Sequence, residues 1–135
     1  MPKSPLISAA ELARQLGDPQ LIIIDVRASL KDFAAGRRAY EAGHIPGAMD
    51  SPSSLNLGPD GLFKGAEELQ RDFRAVLGRR KPERVILYCG SGVTACCNFL
   101  AMTEAKMAPA GVYMGSWSEW ISDARRPVST TDDLY

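Results

Sequence analysis

Short runs of apolar residues alternate along the chain with longer segments in which apolar residues recur every three or four positions. Two runs, at residues 21–26 and 84–88, are continuous and rich in β-branched residues, which is typical of strands buried on both faces of a parallel sheet. A third short run at residues 111–114 predicts a further strand. Helical spacing and end signals predict helices between these runs, at residues 8–17, 29–36, 66–78, 93–107 and 116–124. The alternation predicts an α/β fold, an open parallel sheet with helices on both faces.

Several element ends carry specific local signals. Ser8 followed by Glu11 has the spacing of a capping box, and Gly17 is a stop signal for the helix that Ser8 opens. Residues 43–52 predict a turn that leads into a short strand, and residues 55–65 predict an irregular loop.

Length and charge limit what the chain can be. The 135 residues are enough for one domain over residues 1–135, with a polar tail from about residue 125. Sixteen basic and sixteen acidic residues give a formal net charge of zero, so neither nucleic acid nor a membrane is expected as a partner. We find no pattern of a signal peptide or a transmembrane span. The oligomeric state stays open.

The three cysteines are Cys89, Cys96 and Cys97. Their spacing does not match a zinc site, and two adjacent cysteines are poorly placed to bridge each other. We therefore expect reduced thiols in a cytoplasmic protein, with no metal and no cofactor.

Cys89 is the candidate reactive residue, because it lies between a buried strand and the start of a predicted helix. In parallel sheets, ligands bind at this edge. Gly90 and Gly92 allow positive φ angles that turn successive N–H groups toward one point, and the helix start adds partial positive charge. We expect Cys89 to be a thiolate that needs no separate base. The structural alternative is a small buried side chain beside a tight turn.

These residues resemble the rhodanese sulfurtransferases. The CGSGVT segment at residues 89–94 looks like the six-residue active-site loop of that family. IDVR at residues 24–27 followed by GHIPGA at residues 43–48 resembles an upstream signature. GSWSEW at residues 115–120 with RPV at residues 126–128 resembles the C-terminal signature. Three motifs in the family's order imply a rhodanese-like fold over nearly the whole chain.

The resemblance also implies an activity. Cys89 would accept a sulfane sulfur from a donor, hold it as a persulfide and pass it to cyanide, a thiol or a protein acceptor. The uncharged loop, formed after Cys89 by Gly90, Ser91, Gly92, Val93 and Thr94, is similar to that of the 3-mercaptopyruvate sulfurtransferases. This similarity implies 3-mercaptopyruvate or thiosulfate as donor. Ser91 and Thr94 would be hydroxyl donors near the sulfur, although both residue types also satisfy backbone groups at helix starts.

The family usually meets the substrate carboxylate with two arginines between the IDVR and GHIPGA signatures. Here Lys31 stands at the first position, and Arg37 or Arg38 is the second. Lysine offers a point charge in place of a bidentate fork. Met114 is another departure, because many members carry an aspartate there. A solvent-exposed helix face is the alternative explanation for the basic cluster.

Asp25, Arg27 and His44 are expected to give structural support. A carboxylate and a guanidinium at a strand end brace the loop by hydrogen bonds. His44 is the one histidine; we expect it to hold the GHIPGA turn, and a Cys-His catalytic pair is the alternative. Burial is expected for Cys96 and Cys97, with Cys96 as a resolving thiol the alternative.

Two other functions fit parts of the pattern. A cysteine-loop phosphatase or arsenate reductase needs an arginine six positions after the cysteine, and Ala95 stands there. A non-enzymatic sulfur carrier or regulatory binding module of rhodanese-like fold would normally have lost the cysteine. Both are therefore weaker hypotheses than a sulfurtransferase.

Overall fold

The computed structural model describes residues 4–29, 32, 34–90 and 92–130. Its strands are β1 (Ile22–Asp25), β2 (Met49–Asp50), β3 (Val85–Tyr88) and β4 (Gly111–Val112). Its α-helices are α1 (Ala9–Gln15), α2 (Ala35–Ala42), α3 (Ala66–Leu77), α4 (Val93–Glu104) and α5 (Ser116–Trp120), with 3-10 turns at Ser53–Asn56 and Pro82–Arg84. None of the helices in these parts of the chain combines the length and apolar character that a membrane span requires.

The four strands form one parallel sheet in the order β2-β1-β3-β4. In the register of the two central strands, Ile24 pairs with Leu87 and Asp25 with Tyr88. Leu6 forms a parallel bridge to Val112 at the β4 edge. The predicted parallel sheet is confirmed.

Both faces of the sheet are covered by helices. Side chains of consecutive strand residues point to opposite faces, so Ile22 and Ile24 pack with α3 and α4 on one face, and Ile23 packs with α1, α2 and α5 on the other. Every residue of β1 and β3 is buried. This double burial explains why the two strands appear in the sequence as continuous apolar runs.

Helix α1 begins where the sequence predicts and ends at Gln15, two residues before the predicted end, and helix α3 has both predicted boundaries to within one residue. Ser8 caps α1 by accepting the N–H of Glu11 at 3.1 Å, and its hydroxyl donates to the Glu11 carboxylate at 3.2 Å. Helix α3 ends at Leu77, where Gly78 adopts a φ of 63°.

The helix predicted at residues 29–36 is wrong in position. Helix α2 begins at Ala35, and Ser29 and Asp32 lie outside it. Asp32 forms a turn in front of the helix, because its carboxylate accepts the N–H of Ala34 at 3.0 Å and its carbonyl accepts the N–H of Ala35 at 3.1 Å. The helix continues over a polar segment whose buried anchor is Tyr40.

The polar tail expected from residue 125 begins with an ordered stretch. The Trp120 indole N–H donates to the carbonyl of Pro127 at 2.7 Å. The backbones of His44 and Ser129 exchange two hydrogen bonds of 2.9 Å. Residues 127–129 therefore pack against α5 and the turn after α2.

Gly36 allows α2 to approach the end of β1 closely. A Cβ at this position would lie 2.1 Å from the backbone carbonyl oxygen of Arg27. A carbonyl oxygen cannot rotate away as the tip of a side chain can, so only glycine fits without moving the helix or the strand end.

We expect Gly36→Ala to lower the free energy of unfolding by about 3 kcal/mol, the upper end for overpacking, although alanine is the better helix former by about 1 kcal/mol. Urea denaturation measures the change. Gly65→Ala is the control, because a Cβ there meets no heavy atom of the described residues within 4 Å. Only the poorer N-cap should then cost up to about 1 kcal/mol. Equal losses in the two variants would contradict the packing argument.

Candidate active site

Cys89 directly follows β3 and precedes α4. It therefore lies at the carboxyl edge of the sheet, where the sequence places it. The residue is buried, with 2% of its surface exposed. Asp25 and Asp50, the last residues of β1 and β2, lie at the same edge.

The Cys89 sulfur accepts two backbone hydrogen bonds from the start of α4. The N–H of Gly92 lies 2.9 Å from Sγ and that of Ala95 lies 3.3 Å away. The first N–H groups of a helix have no partner within the helix, and they carry the positive end of its dipole. This arrangement stabilises negative charge on the sulfur.

The two loop glycines have different functions. Gly92 adopts a φ of 102°, as expected, and a Cβ there would lie 2.4 Å from the carbonyl oxygen of Met114. Gly90 does not have the positive φ that we expected. Among the described residues, a Cβ at Gly90 would meet no heavy atom within 4 Å, and Gly90 lines the cleft together with Cys89.

Ser116 holds the Cys89 backbone, and our sequence analysis assigned it no function. The Cys89 N–H donates to Ser116 Oγ at 3.1 Å, and the Ser116 hydroxyl donates to the carbonyl of Tyr113 at 2.9 Å. Ser116 is fully buried, has a φ of 56° and places Oγ 3.9 Å from the Cys89 sulfur. A buried non-glycine residue in the left-handed region is strained, and such strain is frequent at functional sites. The signal available in the sequence was its place in the GSWSEW signature.

An open cleft of about 310 Å³ gives access to Cys89. Its walls come from the end of β1, one face of α2 and the start of α4. They include Arg27, Ala28, Gly36, Ala39, Gly90 and Thr94. Arg27 is the only basic residue among the described residues that line the cleft.

Asp25 and Arg27 form a buried ion pair that supports the cleft. The Arg27 Nη2 atom lies 2.7 Å from Asp25 Oδ2 and also donates to the carbonyls of Ala39 at 3.2 Å and Gly43 at 2.6 Å. The Tyr88 hydroxyl donates to the same Asp25 oxygen at 2.7 Å. Burial and the Asp25 charge raise the pKa of Tyr88, which keeps it a donor. The pair thus joins β1, β3 and α2.

Asp50 lies beside this pair, and its carboxylate has fewer hydrogen-bond partners than that of Asp25. One carboxylate oxygen is 3.4 Å from Arg37 Nη1, and the other is buried without a hydrogen-bond partner among the described residues. Burial and the neighbouring charge of Asp25 raise the pKa of Asp50.

The structure describes only part of the predicted basic cluster of Lys31, Arg37 and Arg38. Lys31, like the loop residue Ser91, lies outside the described residues. Arg37 pairs with Glu41 at 2.9 Å and with Asp50, and Arg38 pairs with Asp32, whose pKa it lowers. Arg37 and Arg38 are not among the described residues that line the Cys89 cleft.

His44 has the surroundings of a structural residue. It is fully buried, stacks on the Tyr40 ring at 3.8 Å and places Nδ1 2.7 Å from the Tyr40 carbonyl oxygen. Within the described parts of the chain, the residues lining the Cys89 cleft do not include it.

Cys96 and Cys97 are exposed free thiols on α4, where we expected burial. The Cys96 sulfur contacts that of Met114 at 3.5 Å. Cys97 lines a second cavity beside the cleft. The helix turns both positions away from the sheet, because its buried face is formed by other residues, among them Asn98 and Met102.

We expect Ser116→Ala to cost about 1–3 kcal/mol of stability, because it leaves the buried N–H of Cys89 without a partner. It should also slow alkylation of Cys89 by iodoacetamide, measured by mass spectrometry. Ser116→Gly removes the same hydroxyl but relieves the strain of the positive φ, so it should be about 1–2 kcal/mol more stable than Ser116→Ala.

Ser118→Ala is the control for these two variants, since the exposed Ser118 hydroxyl also bonds the loop, at the Gly90 carbonyl. Alkylation of Cys89 in this variant should match the wild type. Unchanged alkylation in both Ser116 variants would contradict a positioning function of that hydroxyl.

Known proteins resemble the chain in sequence and in structure. A probable 3-mercaptopyruvate sulfurtransferase of Pseudomonas aeruginosa is 47% identical over 131 residues, which cover 96% of this chain and 46% of that protein. A thiosulfate sulfurtransferase of Gallus gallus is 38% identical over 96 residues, covering 70% and 32%. The structure of 3-mercaptopyruvate sulfurtransferase from Leishmania major superposes with a TM-score of 0.66 at 32% identity, covering 92% and 34%.

The chain spans less than half the length of these relatives. The sequence profile described as the Rhodanese-like domain matches residues 8–123, which include Cys89 and the residues that hold its sulfur. The chain belongs to the family of Rhodanese-like domains.

Proposed function

We propose that this chain is a sulfurtransferase that moves a sulfane sulfur from 3-mercaptopyruvate or thiosulfate to a thiophilic acceptor through a persulfide on Cys89. The observation that carries the proposal is the pair of N–H groups, from Gly92 and Ala95, on the sulfur of a cysteine that borders an open cleft. Relatives named for this activity support it.

In the first half-reaction the Cys89 thiolate attacks the sulfur that will be transferred, which is the outer sulfur of thiosulfate or the thiol sulfur of 3-mercaptopyruvate. A new S–S bond forms on Cys89. With thiosulfate, the donor's S–S bond breaks and sulfite leaves with the electron pair. With 3-mercaptopyruvate, the C–S bond breaks, and the electron pair stays on carbon as the enolate of pyruvate, which then takes up a proton.

In the second half-reaction the acceptor attacks the outer sulfur of the persulfide. The S–S bond breaks, and Cys89 leaves as a thiolate. Because the N–H groups of Gly92 and Ala95 already contact Sγ, they stabilise the charge on the departing sulfur without first moving into place.

Anionic donors need a positive charge in the cleft. Arg27 supplies one, although Asp25 neutralises part of it. We retain Lys31, Arg37 and Arg38 as candidate contacts of the substrate carboxylate. Arg37 and Arg38 would have to exchange their present carboxylate partners for that of the substrate.

Competing functions have less support. A phosphatase or arsenate reductase needs an arginine where the chain has Ala95, which offers only its N–H. A non-enzymatic carrier or regulatory module would not need the open cleft at Cys89.

The three free thiols support our proposal of a cytoplasmic location.

We expect Cys89→Ser to abolish sulfur transfer to cyanide. The urea midpoint should shift no more than it does in an ordinary conservative substitution. Mass spectrometry of the donor-treated wild type should show one added sulfur on Cys89, because its thiolate is the nucleophile. Cys96→Ser and Cys97→Ser are the controls and should still acquire that sulfur. Added sulfur on Cys96 or Cys97 with Cys89 unmodified would contradict the mechanism.

We also expect 3-mercaptopyruvate to be the better donor by kcat/KM, because the loop itself carries no cation for the doubly charged thiosulfate. Steady-state assays with the two donors side by side measure this. Neutralising Arg37 and Arg38 together should raise the KM for 3-mercaptopyruvate about tenfold, which is the effect expected from the loss of one charge-assisted hydrogen bond. The KM for thiosulfate should change less. A faster reaction with thiosulfate would contradict the donor assignment and leave the persulfide mechanism intact.

A further inference from the structure

A second cavity of about 220 Å³ adjoins the Cys89 cleft. The two share Ala28 and Thr94 in their walls. Ala28 has no side chain beyond Cβ, and Thr94 lies in the first turn of α4. A molecule bound in the second cavity therefore lies beside the cleft that contains Cys89.

The chemistry of the second cavity differs from that of the cleft. No charged side chain is among the described residues that line it. Phe63 and Val93 contribute apolar surface that is 42% and 70% exposed. The walls include Ser54, Asn56, Leu57, Phe63, Val93 and Cys97. Exposed apolar side chains around a concave site beside a nucleophile are typical of ligand binding.

The walls of this cavity are held in place. Leu57 and Phe63 pair in an antiparallel bridge across their loop. The Asn56 side chain donates to the Asn98 side chain at 2.6 Å, which fixes the 3-10 turn against α4. The cavity is thus formed before any ligand enters.

We propose that this cavity binds the apolar body of a small organic thiol that acts as sulfur acceptor. The inference rests on the proposed function. Both candidate donors are anions, and the positive charge of Arg27 lies in the cleft and not in the second cavity. An uncharged apolar group is therefore better suited to the second cavity than either donor.

The transfer step follows from this placement. The thiolate of the bound acceptor attacks the outer sulfur of the Cys89 persulfide and forms a new S–S bond. The bond between that sulfur and Cys89 breaks, and its electron pair returns to Cys89 as thiolate. The product is the persulfide of the acceptor, so no oxidant or reductant is required.

Cys97→Phe fills the cavity and tests the proposal. The full chain is first loaded with sulfur at Cys89, and single-turnover transfer to benzyl mercaptan, 2-mercaptoethanol and cyanide is measured. In the wild type we expect benzyl mercaptan to react faster than 2-mercaptoethanol. In Cys97→Phe the rate with benzyl mercaptan should fall about tenfold, which corresponds to about 1.4 kcal/mol, and the rate with cyanide less than about twofold.

Cys96→Phe is the matched control. It changes the neighbouring residue, also an exposed cysteine, which lines a different groove beside Leu100 and Met114. We expect wild-type rates with all three acceptors. An equal loss with benzyl mercaptan and cyanide in Cys97→Phe would overturn the proposal, as would equal rates of the two thiols in the wild type.

A test without catalysis separates this inference from the proposed function. Benzyl alcohol, an unreactive analogue, should slow alkylation of Cys97 in the unmodified protein and leave that of Cys96 unchanged. This protection should be lost in Phe63→Ala, which removes one wall. Protection without persulfide formation on Cys89 would refute the proposed function alone, and persulfide formation without protection would refute the cavity assignment alone.

Discussion

The buried ion pair of Asp25 and Arg27 is the constraint on which the site depends. Asp25 is fully buried and the Arg27 side chain is 11% exposed, so both groups have lost most of their hydration. Removing one partner of such a pair typically costs about 3–5 kcal/mol, because the other charge remains buried. The carbonyls of Ala39 and Gly43 and the hydroxyl of Tyr88 complete the hydrogen bonding. Through these contacts one ion pair links the end of β1 to the end of β3 and to α2.

The segment after β4 completes the site from the opposite side. Ser116 accepts the N–H of Cys89, and Trp117 donates its N–H to the Cys89 carbonyl at 2.9 Å. The Trp117 ring also lies under the Arg27 guanidinium, 4.9 Å from its centre. Residues of the three signatures, far apart in the sequence, thus come together beside Cys89.

The sheet and the position of Cys89 could be predicted, because a strand buried on both faces leaves a continuous apolar run that a single sequence displays. The sequence predicted helix α2 too early in the chain, because the position of this helix depends on contacts with distant parts of the chain. Tyr40, its anchor, donates to the carbonyl of Ala48, and Gly36 fits against Arg27. Neither contact leaves a periodic signal.

The site was predicted unevenly for a similar reason. The sequence pointed to the thiol and to Gly92, since their residue types are specific. The partnership of Ser116 with Cys89 joins residues 27 positions apart and depends on a backbone angle that serine rarely adopts. The place of Arg27 in the cleft wall depends on the direction of its side chain, which the motif alone does not determine.

The close approach of Gly92 to the carbonyl of Met114 has a consequence for the energetics of turnover. The backbone around the sulfur is confined, so its dipoles keep one orientation whether the sulfur is a thiol, a thiolate or the inner atom of a persulfide. Water would have to reorient at each change of charge, and this reorganisation is a large part of the barrier to such reactions in solution. In the proposed cycle that reorganisation energy is supplied in advance, when the chain folds and α4 is brought against the end of β4.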